Sequence, residues 1–234
     1  MRYPEKEKYD AKDLEAIIRI LRDPAKGCPW DKVQTHQSIR KNFVEETYEV
    51  LEAIDKEDSH LLQEELGDVM MQVMLHSQME AEQGHFDFGD VCDGVCRKLI
   101  FRHPHIFAGA GDNTGLNSWQ ALKDKEKGRV TLRDELESVP ATLPALMYCE
   151  KTQKRNERFW AQPAQKAEVL AELAAQTGKL SRESGAEAYG RALFLLVQAA
   201  RLDGVCAEEA LEKYTREFAR QEIEKSEDHG QQKG

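Results

Sequence analysis

Apolar positions along this chain recur three and four residues apart, with no sustained alternation anywhere. The pattern predicts helices and no sheet, an all-α fold. The stretch "DAKDLEAIIRILRD" carries one such stripe and stops at Pro24. "PAKGCPWDKVQTH" follows as a loop punctuated by proline and glycine. A helix is expected from about Ser38 to Ile54, then a short turn, "DKEDS", with Asp58 and Ser59 as cap residues. The next helix runs from about His60 to Gln83, and "GHFDFGD" ends it. Asp87 or Asp90 then opens a helix carrying "VCDGVCRKLIFR" to Pro104.

The glycine-rich "HIFAGAGDNTGLNS" reads as an exposed loop and a boundary, and "WQALKDKEKG" as a short charged helix. A second helical block ends near Glu224. The expected organisation is a domain over residues 1–112, a connector over 113–145, a second domain over 146–224 and a disordered tail over 225–234. The second block echoes the first. Aligning Gly67 with Gly190 sets Glu45, Glu46 and Glu49 against Ala171, Glu172 and Ala175, and Glu65 and Asp68 against Ala188 and Arg191. The apolar pattern is kept and four of the five acids are gone.

Those acids are the candidate chemistry. "EETYE" and "EELGD" place Glu46 and Glu49 on one helix and Glu65 and Asp68 on the next, each pair one turn apart. An isolated EExxE is ordinarily a solvated helix face. The pairing changes that. With Phe43, Thr47, Val50 and Ile54 as one buried stripe and Leu62, Leu66, Val69 and Val73 as the other, the four acids fall on matching sides. The short turn makes the helices antiparallel, so the acids converge at one edge of the pair. Four carboxylates together repel unless protons or cations intervene. An all-oxygen set suits Mg²⁺, with Mn²⁺ as an alternative. No histidine stands three residues after Glu46 or Glu65, which removes the di-iron pattern.

Composition narrows the class. The chain has 234 residues with 43 acidic against 33 basic, a net charge of -10. That balance disfavours a protein that binds nucleic-acid duplexes. No run of about 20 apolar residues could span a membrane, and the N-terminus lacks a signal-peptide core, so a cytoplasmic protein is expected. Five cysteines, an odd number, are expected to be reduced thiols. The second helix of the pair, with Met70, Met71, Met74 and Leu75, is apolar over much of its circumference and calls for cover on several sides.

With "CPWDKVQTHQSI", "EELGDVMMQV" and "KLIFRHPHIF" around them, these residues resemble the MazG family of nucleoside triphosphate pyrophosphohydrolases, of the all-α NTP pyrophosphatase group. The resemblance covers roughly residues 14 to 107. It implies helical-bundle repeats, the second degenerate, assembled as a homodimer. It implies Mg²⁺ held by Glu46, Glu49, Glu65 and Asp68, and cleavage of a nucleoside triphosphate between its α and β phosphates to a monophosphate and pyrophosphate. Glu45 would orient or deprotonate the attacking water. Lys98 and Arg102, four apart on one helix, would meet the phosphates, although ordinary surface charge is the competing reading. Asn42 would face the nucleotide, with Lys32 and Trp30 brought in from the preceding loop. Trp30 either stacks on the base or caps the core. His103 and His105 read as helix-end residues. A narrower enzyme for dUTP, dCTP or phosphoribosyl-ATP is the runner-up. A non-catalytic nucleotide sensor is the alternative of a different class.

Overall fold

The computed structural model describes residues 3–107, 122, 123, 126, 128, 130–182 and 185–231. Among them there is no strand, and no helix is long and apolar enough to cross a membrane. The chain divides into two compact units, Met1–Leu122 and Lys123–Gly234. Most of the expected boundary loop and of the charged helix in "WQALKDKEKG" lies outside the described residues.

The first unit holds α1 (Ala11–Leu21), a 3-10 turn (Asp31–Val33), α2 (Arg40–Asp55), α3 (Ser59–Glu82), α4 (Phe88–Arg102) and the single turn α5 (Pro104–Phe107). Carboxylates start three of these helices. Asp10 and Asp13 form a capping box on α1, Asp87 and Asp90 another on α4, and Asp58 accepts from the His60 and Leu61 amides at the start of α3. Both expected openings of α4 are used at once. Ile18, Ile39, Met74, Leu75 and Met79 form the core, with Leu14, Leu21, Met71 and Phe88 against it. Each such fully buried side chain contributes about 1.5–3 kcal/mol.

Two polar clusters tie the loop before α2 to the end of α3. Arg22, 7% exposed, meets both Glu82 oxygens at 2.8 Å and donates to the carbonyls of Asp31 and Gln34 at 2.6 and 3.2 Å. His36 stacks on His76 with Nδ1 atoms 2.7 Å apart, and its Nε2 lies 2.7 Å from Glu80. His85 takes the other Glu80 oxygen at 2.7 Å. Burial, then the neighbouring His36, pushes the His76 pKa down. The hydrogen bond from His85, then that from His36, holds the Glu80 carboxyl below its usual range.

The second unit holds α6 (Leu132–Glu137), α7 (Ala145–Trp160), α8 (Lys166–Lys179), α9 (Ala186–Leu202) and α10 (Ala207–Gln231). Helix α6 packs on α7, so this end of the expected connector belongs to the second unit. Val169, Leu195 and Ala199 form a core between α8 and α9. Buried Glu135 pairs with Arg155 at 2.7 Å and with Arg158. Helix α10 continues to Gln231, into the tail expected to be disordered; residues 232–234 lie outside the described set.

Candidate active site between α2 and α3

Helix α2 ends at Asp55, and three residues turn the chain back into α3. Glu57 takes a left-handed conformation there, φ 53°. The two helices pack as antiparallel neighbours along their length. The pairing brings one carboxylate oxygen each from Glu46, Glu49 and Glu65 within 4.8 Å of one another. Asp68 is outside that trio, yet its charge reaches both Glu46 and Glu65.

The site sits deeper than the sequence suggests. Glu65 is 8% exposed and Glu46 half-buried, whereas Leu66 is 51% exposed and Ile54 52%. Of the expected stripes, Phe43, Val50, Leu62, Val69 and Val73 are half-buried while Thr47, Ile54 and Leu66 are exposed, and acids occupy part of the face between the helices. Ala53, small and fully buried, lets the helices approach. The electrostatics follow from this. Burial first, then Asp68 and Glu49, raises the Glu46 pKa, with Gln72 opposing. Burial, then Glu49 and Asp68, raises that of Glu65. Carboxyls that resist ionising beside other carboxyls are what a cation would relieve.

The other expected residues are placed as follows. Glu45 is exposed on α2 and stays outside the trio. Asn42 is half-buried one turn before Glu46. Lys98 is half-buried on α4, and Arg102 is 7% exposed in its last turn, so Arg102 is not an ordinary surface charge. Lys32 is half-buried in the 3-10 turn. Trp30 is 55% exposed and does not cap the core. His103 bonds the Leu99 carbonyl at the end of α4, as a helix-end residue should. His76, two turns beyond Asp68, pairs with His36 and stays apart from the acids.

One residue of this region carried no expectation. Gln72 is 4% exposed on α3, its amide lies against Glu46, and its Oε1 has no hydrogen-bond partner in the protein. The signal was present in sequence: a lone amide in an apolar run, seven residues after Glu65 and four after Asp68. At the aligned positions of the second unit, Glu172 is ion-paired to Arg191 at 2.6 Å, and no cluster of three ligand groups forms among the described residues.

Residues 34–107 match the model of the MazG nucleotide pyrophosphohydrolase domain. The chain is 39% identical over 219 residues to a nucleoside triphosphate pyrophosphohydrolase of Escherichia coli (strain K12), covering 88% of this chain and 83% of the relative. It is 36% identical over 213 residues to a nucleoside triphosphate pyrophosphohydrolase/pyrophosphatase of Thermotoga maritima, covering 88% and 81%. A third relative, the uncharacterized protein YabN of Bacillus subtilis, is 46% identical over 149 residues, 62% of this chain and 30% of its own length. The acid cluster lies within the matched domain, and the likeness extends through both units: the chain belongs to the MazG family of nucleotide pyrophosphohydrolases.

Proposed function

We propose that the first unit hydrolyses nucleoside triphosphates between the α and β phosphates, releasing a monophosphate and pyrophosphate. The observation that carries this is the trio Glu46, Glu49 and Glu65, with Asp68 beside it, in a chain of this family. These four residues would hold Mg²⁺. The donor set fits, being all oxygen and crowded, with burial and the neighbouring carboxylates disfavouring ionised Glu46 and Glu65. A divalent cation there would offset triphosphate charge and lower the pKa of water. Glu45, exposed next to the trio, orients or deprotonates the attacking water. Lys98 and Arg102 meet the phosphate chain, Asn42 and Lys32 border the nucleotide, and Trp30 stacks on its base.

The protein works as a homodimer. Val44, Tyr48 and Leu51 on α2 and Leu66 and Met70 on α3 leave apolar stripes between 46% and 51% exposed. Five free thiols accord with a cytoplasmic setting. The second unit is a degenerate repeat whose part is packing.

Pyrophosphate release from a panel of NTPs and dNTPs at millimolar Mg²⁺ tests the proposal. Glu49→Ala should cost at least about a hundredfold, roughly 2.7 kcal/mol. Glu172→Ala should stay within about twofold, because Glu172 is already paired to Arg191. Loss with Glu172→Ala and none with Glu49→Ala would place the chemistry in the other unit. A single preferred substrate in the panel would favour the narrower enzymes.

A further inference from the structure

Four polar side chains succeed one another along α3 at helical spacing: Glu65, Asp68, Gln72 and His76. His76 is satisfied by His36, and the two acids belong to the cluster. Gln72 is the odd member. Its carbonyl oxygen is buried and unpartnered, which is a standing cost to the fold. The second unit shows the same helix position without that cost. In the register aligning Gly67 with Gly190, position 72 matches Leu195, a 4% exposed residue of the apolar core. Ala188 and Arg191 stand there for Glu65 and Asp68. On this helix of the first unit the unpartnered amide accompanies Glu65 and Asp68, and all three are replaced at the matching positions of the second.

The chemistry of Oε1 limits its occupant, since an amide oxygen only accepts. Phosphate and carboxylate oxygens, also acceptors, are poor neighbours for it. A water polarised by a cation is a strong donor. We propose that Gln72 is a positioning residue of the cation site: its carbonyl oxygen accepts a hydrogen bond from a water in the cation's hydration shell, while its amide group steadies Glu46. This rests on the reading that the α2–α3 acids hold a divalent cation.

Gln72→Leu installs the residue of the second unit. The metal-free variant should melt no lower than the wild type, while its Mn²⁺ affinity by calorimetry should fall about ten- to a hundredfold. Wild-type affinity in Gln72→Leu overturns the proposal. If that variant does not fold, Gln72→Glu decides, since it keeps the acceptor and its reach and adds negative charge. Mn²⁺ should then raise its thermal midpoint by more than it raises that of the wild type; an equal or smaller rise refutes the proposal. The underlying reading fails separately: wild-type protein that takes up no more Mn²⁺ than Glu49→Ala defeats the cation site, and Gln72 with it.

Discussion

His76 gains nothing from carrying charge. It is half-buried beneath Phe43, with ring centroids 5.7 Å apart, and faces His36, while Glu80 and His85 complete the cluster. Burial, then the neighbouring His36, disfavours its charged form. Because its folded pKa lies below the unfolded value of about 6.5, the unfolded chain binds the proton first. Stability therefore falls as pH drops from about 6.5 towards the folded pKa. Glu80, depressed from its ordinary 4.5, acts in a lower window: its contribution is present above that value and lost as pH falls through the folded pKa. His76→Phe should flatten the thermal midpoint against pH below about 6.5. An unchanged slope would remove His76 from the account. None of this was legible in sequence, because His36 and His76 stand forty positions apart and only the tertiary fold makes them neighbours. The convergence of Glu46, Glu49 and Glu65 was legible because their spacing is local to two helices, whereas Asp68, expected with them, stays outside the trio.

Helix ends proved readable for the same local reason. Asp58 and Asp87 cap the helices they were expected to start. Helix faces were less so. Periodicity treats Leu66 as core, yet it is exposed and Glu65 buried, so an acid takes a place on the face between α2 and α3 that the pattern assigns to an apolar side chain. Other apolar residues of the pair face outward. Tyr48 and Leu51 on α2, with Met70 on α3, are where a second copy would dock. Wild-type protein should scatter light as a dimer at micromolar concentration, and Leu51→Glu should halve that mass by burying an unpaired charge. A wild-type mass of one chain would sink the dimer.

At the scale of the molecule, the two units solve the same helix-pairing problem with different materials. The second fills it with Val169, Leu195 and Ala199 and neutralises Glu172 with Arg191. It closes without help. The first closes over Glu46 and Glu65, whose pKa values are raised by burial first and then by the neighbouring carboxylates. On the proposed reading, a divalent ion there would act as a folding ligand. Saturation at a hundred times its dissociation constant would be worth about 2.7 kcal/mol, through binding that exists only when α2 and α3 are joined. Chelation should then lower the calorimetric transition of the first unit and leave that of the second in place; equal shifts in both would refute the distinction. If those acids hold magnesium as proposed, ion depletion would silence this protein by loosening half a chain as well as by starving its chemistry.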